Sequence, residues 1–157
     1  MYFCWISWIQ EILESDISFQ HANKTYKKDK NVFFTAFHSS NALAGFAGLL
    51  IDKEKNVFTD SIVSTLKENE ALLIRVCTLP KYQKNGIAKA CISKCIEFAK
   101  ENNVTVIKLV STSHQIGSIE LYKRFGFTVE KIEPYNKFFE FDIYLMKLVL
   151  NDNFCLI

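Results

Sequence analysis

The chain has 157 residues, 49% hydrophobic and 23% charged, with 19 Lys and Arg against 17 Asp and Glu for a net charge of +2. That length suits one domain, residues 1–157, with a core of its own, and the composition excludes a disordered chain. The lysines are scattered, which argues against a dedicated nucleic-acid binder.

The five cysteines, Cys4, Cys77, Cys91, Cys95 and Cys155, are odd in number and form no Cys-x-x-Cys pair, and the three histidines stand far from them. They read as reduced thiols in a cytoplasmic protein with no metal site. Met1 to Gln10 is apolar but lacks a basic flank and is too short to span a bilayer.

In chain order, Trp5, Trp8, Ile9, Ile12 and Leu13 recur at helical spacing, and Ile17 to Tyr26 reads as a second helix. These N-terminal helices, within residues 1–30, end in the lysine-rich run Lys24 to Lys30. Residues 31–51 carry no Asp, Glu, Lys or Arg, but His38-Ser39-Ser40-Asn41 divides them. They read as strands Val32 to Phe37 and Leu43 to Ile51 around a turn. Gly45 and Gly48 in the second strand signal a close backbone approach or a bulge.

A polar loop covers residues 52–70, with length enough to overhang a substrate site or to be a plain surface excursion. Ala71 to Thr78 is the next strand. Ile87, Cys91, Ile92, Cys95, Ile96 and Ala99 make one apolar stripe and predict a helix from Ile87 to Lys100. Val104 to Val110 reads as a buried strand, Ser118 to Phe125 as a short helix capped by Gly126, and Phe138 to Leu150 as a final strand or two.

Chemistry concentrates in two strings. Gln83-Lys84-Asn85-Gly86-Ile87-Ala88 follows a strand and opens a helix. The first N–H groups of that helix have no intrahelical partners, and the positive dipole end points the same way. A pyrophosphate would meet several donors there. Gly86 admits a ligand to the backbone, Ala88 is small, and Lys84 and Lys89 add charge. Alone, the string also reads as an ordinary glycine turn. The second string, Leu121-Tyr122-Lys123-Arg124-Phe125-Gly126-Phe127, places a tyrosine among packing residues. It is either a core tyrosine or a general acid.

Together, with a helix and a strand between them, the two strings resemble the GCN5-related N-acetyltransferase (GNAT) superfamily. The resemblance is firmest from Leu73 to Phe127, and Met146-Lys147-Leu148 is usual for the closing strand. It implies an α/β (α+β) fold with a mixed, mostly antiparallel sheet, splayed acyl-CoA strands and flanking helices. It implies acetyl-CoA as co-substrate, bound by the strand backbone at Val76, Cys77 and Thr78 and by Gln83, Lys84, Asn85, Gly86, Ile87, Ala88 and Lys89. Tyr122 would protonate the departing thiolate. Gly86-Ile87-Ala88-Lys89-Ala90, Thr112-Ser113-His114-Gln115-Ile116 and Leu121-Tyr122 look like the camello-like branch, in which Gln115 would touch CoA or substrate. The chain departs from the pattern at Gln83, where Arg is common, and at Thr78 and Ser118.

Camello-like proteins carry an upstream membrane-embedded segment. Met1 to Ile9 reads as the stub of one or as a docking helix, with Phe3, Trp5 and Trp8 available for membrane contact. The branch implies an amine acceptor on protein lysines or cysteine conjugates; an N-terminus or another small amine is also open, and the chain is expected as a monomer or homodimer. Glu70 is the best placed candidate base, with Glu68 next and His114 more distant. A non-catalytic acyl-CoA-binding or protein-interaction module is the competing reading.

Overall fold

The computed structural model describes residues 31–51, 66–135 and 140–151. The helices expected within residues 1–30, residues 52–65 of the polar loop and the start of the last segment at Phe138 lie outside them.

Two Phe-rich and Gly-rich apolar runs form the first hairpin, β1 (Asn31–Phe37) and β2 (Leu43–Leu50). They pair antiparallel, with Asn41 at φ 62 in the turn, and the buried Asn31 side chain accepts a hydrogen bond from Ile51 N at 2.9 Å. Next come β3 (Glu70–Thr78), a 3-10 turn (Pro80–Tyr82) and the 15-residue helix α1 (Ile87–Glu101). Strand β4 (Val106–Thr112), helix α2 (Ile116–Arg124), and strands β5 (Thr128–Tyr135) and β6 (Phe141–Val149) complete the described chain.

The sheet order is β1-β2-β3-β4-β6-β5. Among the described residues only β3 and β4, joined through α1, pair in parallel; the other neighbours are antiparallel. This is the mixed, mostly antiparallel sheet that the resemblance implies.

The stripe Cys91, Ile92, Cys95, Ile96 and Ala99 turns α1 onto one sheet face. There it meets Ala47, Leu49, Ala71, Leu73, Ile107, Leu109, Met146 and Leu148 in the main core. Leu50, Leu66 and Leu72 form a small cluster of their own.

Both helices stop by the same device. At the end of α1, Asn103 takes φ 59, its N–H donates to Lys100 O at 3.1 Å, and Val104 N donates to Ala99 O at 3.0 Å. At the end of α2, Gly126 takes φ 89, with Gly126 N to Lys123 O at 2.9 Å and Phe127 N to Tyr122 O at 3.1 Å. Each pair of bonds satisfies carbonyls that the helix leaves open.

Several elements differ from the sequence expectation, β3 among them, which begins at Glu70, the residue expected to end the polar loop. Val104 and Thr105 belong to the turn after α1, so β4 begins at Val106 and runs on to Thr112. Helix α2 starts at Ile116, ahead of Ser118, and Gly126 lies one residue beyond its cap, Phe125. Strand β5 has no counterpart in the expectation. Three of its eight residues are charged, seven are exposed on both faces, and it includes Pro134; it is the sheet edge, where one backbone side has no strand partner.

Truncating Ile92, which is fully buried, should cost about 2–5 kcal/mol through lost burial and the cavity left behind. A urea titration checks this, with a lowered midpoint and an unchanged slope expected.

Candidate functional site

Strands β3 and β4 pair at only three positions, Glu70↔Val106, Ala71↔Ile107 and Leu72↔Lys108. Beyond Leu72 they part. Strand β3 stays with β2 as far as Gly45↔Thr78, and β4 stays with β6 as far as Thr112↔Ile143. Between residues 73–78 and 109–112 the facing edges share no ladder, so an extended ligand would find backbone partners there.

A bulge accompanies the parting. From Phe46↔Cys77 to Gly48↔Ile74, β2 passes one residue while β3 passes two, Arg75 and Val76. Arg75 sits at φ 55, a conformation uncommon outside glycine. A bulged strand bends locally. At the end of β3, the Thr78 hydroxyl oxygen is buried with no hydrogen-bond partner among the described residues.

The turn into α1 meets that open edge. Lys84 (φ 64) and Gly86 (φ 75) are both left-handed. Gly86 O accepts the first helical bond from Ala90 N at 2.9 Å. No side chain caps the helix and its first turn carries no acidic residue, so the leading N–H groups stay available to an anion. A Cβ on Gly86 would meet nothing within 4 Å; the approach is open.

The Asn85 amide donates to Tyr82 O (3.3 Å) and Gln83 O (3.2 Å), bracing the turn. Gln83 Nε2 donates to Thr78 O at 3.4 Å, linking the turn to β3. Lys84 and Lys89 are exposed. Lys81 lies over the Tyr82 ring, which stacks on His38 of the β1–β2 turn.

Gly45 holds the two edges together. A Cβ there would lie 2.7 Å from Cys77 O and 2.7 Å from Ile87 Cγ2, so the end of β3 and the start of α1 close on it because it is glycine.

Tyr122 is buried on α2 and meets Phe127 edge-on, ring centres 5.8 Å apart. It belongs to the core cluster against which Val76, Ile87 and Leu121 pack. Strand β3, the Gly86 turn and Tyr122 therefore share one packed unit. Burial pushes the Tyr122 phenol up to about 12.

Gln115 precedes α2, and its Oε1 accepts a 3.0 Å hydrogen bond from Ser111, which is buried on β4. His114 is exposed and meets Phe141 edge-on.

Glu70 lies at the closed end of the gap. Its carboxylate accepts a bond from Lys67 N at 3.0 Å and pairs with Lys108 at 3.1 Å, the two side chains only 8% and 13% exposed. Burial pushes this carboxyl up, but the Lys67 N–H and the Lys108 ammonium outweigh it, and the net shift is below the ordinary value near 4.5. Sequence reading missed Lys108, whose signal was a lysine inside the apolar run Val104 to Val110. It also missed Ser111, which nothing in the sequence marks.

Among the described residues, no three His, Cys, Asp or Glu side chains gather in one place, and no helix is long and apolar enough to cross a membrane.

The strand pair opened beside an uncapped helix start and the buried Tyr122 share one hydrophobic core. The chain belongs to the Acetyltransferase (GNAT) family, whose profile matches residues 3–127. It is similar to N-acetyltransferase 8B of Rattus norvegicus, 24% identical across 78% of this chain and 50% of the relative. It is also similar to N-acetyltransferase 8 of Homo sapiens, 23% identical across 78% and 49%. Both agree with the camello-like resemblance, and the chain spans about half the length of these curated relatives.

Among solved structures, a Bacillus anthracis protein described as a streptothricin acetyltransferase, in complex with acetyl coenzyme A, matches with TM-score 0.67 and 19% identity, over 82% of this chain and 67% of that one. Ribosomal-protein-alanine N-acetyltransferase of Brucella melitensis matches with TM-score 0.67 and 18% identity, over 83% and 76%. At these identities the matches establish the fold.

Gly45→Ala should destabilise the chain by about 1–3 kcal/mol, since backbone Cys77 O must move; thermal unfolding checks it. The depressed Glu70 carboxyl contributes stability that is present above pH 4.5 and lost as pH falls through its folded value. Acid unfolding of Glu70→Gln should therefore show a shallower pH dependence below pH 4.5 than the parent.

Proposed function

We propose that the chain is an acetyl-CoA-dependent N-acetyltransferase that moves an acetyl group to a primary amine by direct attack. The observation that carries this reading is the gap between β3 and β4 opening beside the uncapped start of α1. The residues present fit acetyl-CoA. The backbone of Val76, Cys77 and Thr78 would hold the pantetheine as an added strand, with the orphaned Thr78 hydroxyl facing a polar ligand. The Gly86 turn, with Lys84 and Lys89, would take the pyrophosphate. The similar structure solved with acetyl coenzyme A supports this.

In the reaction the amine nitrogen forms its bond to the acetyl carbon and the carbon–sulfur bond breaks. A β3 N–H polarises the carbonyl. Tyr122 gives its hydroxyl proton to the sulfur, and the proton lost by the amine restores the balance. A phenol near 12 is a weaker acid than a thiol near 8–9. Transfer is therefore uphill even to the full thiolate, so the Tyr122 proton moves only as the carbon–sulfur bond breaks, and the proton released by the amine restores the phenol.

Glu70 is poorly suited to be the base. Its carboxylate is committed to Lys108 and Lys67 N and is held below the ordinary range, which leaves it little affinity for an amine proton. Acceptors in keeping with the family are protein amino groups and small amines, cysteine conjugates among them. Gln115, its carbonyl oxygen held by Ser111, would present its NH2 group to CoA or acceptor.

Tyr122→Phe should lower kcat by roughly 10²–10⁴-fold and leave the KM for acetyl-CoA nearly unchanged, in an assay following release of free thiol with a panel of amines. Undiminished turnover would contradict the Tyr122 role. Since its phenol stays protonated up to about 12, any alkaline limb well below that pH belongs to another group and should persist in Tyr122→Phe.

A further inference from the structure

The Glu70–Lys108 ion pair crosses the short ladder just before β3 and β4 separate. Glu70 stands opposite Val106, and Lys108 stands opposite Leu72, at the last paired position. The 3.1 Å contact therefore runs diagonally from the first to the third and last rung of the ladder on one sheet face. Below it the strands are tied again. Asn69 O accepts from Thr105 N (2.9 Å) and Val106 N (3.3 Å), and Asn69 Nδ2 donates to Thr105 Oγ1 at 2.6 Å. Above it lies the bulge at Arg75 and Val76, and no β3–β4 pairing.

We propose that Glu70 and Lys108 are positioning residues, a clamp that fixes the β3–β4 register and with it the floor of the acyl-CoA slot. The inference rests on the acetyl-CoA reading above.

A buried ion pair is weak support for stability, because desolvating both charges offsets their attraction, and its best-attested use is to select one register. A two-residue slip that moves Glu70 toward Val104 would separate the two charges and leave each buried alone, while the bonds from Thr105 N and Val106 N to Asn69 O oppose the opposite slip, which would set Glu70 across from Lys108. Either slip would also move the floor of the slot by roughly 6–7 Å. The thioester would then miss Tyr122, which the core holds in place from α2. The clamp acts on where the acyl group stops, whereas the pyrophosphate turn is braced within itself by Asn85 and travels with β3 through Gln83.

The test compares the parent with Glu70→Gln, Lys108→Met and the double variant Glu70→Gln/Lys108→Met. The double variant leaves no lone buried charge and guards against loss of folding in a single variant. Affinities for CoA and for ADP, which carries a pyrophosphate but no pantetheine, are measured by calorimetry, with kcat and KM alongside. The clamp predicts that CoA affinity falls about tenfold or more in each folded variant, the double included. ADP affinity stays within about twofold, and kcat falls together with CoA affinity, because the acyl group no longer stops at Tyr122.

Parent-like CoA binding in the double variant would overturn the clamp. So would a fall in kcat at saturation with CoA affinity intact, which would make Glu70 a catalytic base. An equal loss of CoA and ADP affinity would assign the pair to general stability and overturn it too. If the parent itself bound no CoA, the acetyl-CoA reading would fail before the clamp was reached.

Discussion

Each of two neighbouring strands keeps its outer partner and gives up its inner one, and the rest of the site depends on that. Strand β3 is held by β2 and β4 by β6, so the sheet stays intact while a wedge opens inside it. Unpaired strand edges are usually a hazard. Here they face inward, where an extended ligand can complete them.

Small features keep the wedge in shape. The bulge at Arg75 and Val76 takes up the bend in β3. Gly45 lets the bent end lie against Ile87 at the start of α1. The cap of α2 makes Tyr122 its anchor, because Tyr122 O accepts from both Phe125 N and Phe127 N while the ring packs on Phe127. The groups that would meet the pantetheine, the pyrophosphate and the sulfur thus come from three elements sharing one core. Errors in their spacing are limited by packing, which is stiff.

Much of this was legible in the chain. The stripe Ile87 to Ala99, the glycine turn before it and the Leu-Tyr pair have short-range patterns, and the structure shows a helix, an uncapped helix start and a buried tyrosine at those places. Gly45 announced a close approach, and there is one. What was not legible is long-range. Strand β5 is exposed because of its place at the edge, which no window of its own residues reveals. The commitment of Glu70 to Lys108 depends on a parallel pairing between segments separated by all of α1. A carboxylate at the head of a strand looks like a base until its partner is seen. The bulge likewise exists only in the register of β3 against β2.

The central claim is that the β3–β4 gap and the Gly86 turn form one acyl-CoA site. Amide hydrogen exchange with and without acetyl-CoA tests it most directly, since it reads backbone groups one by one. The account predicts slowed exchange in residues 73–78 and 86–89 together, with little change in β1 and β5. Protection at the turn alone, or at neither segment, would contradict it.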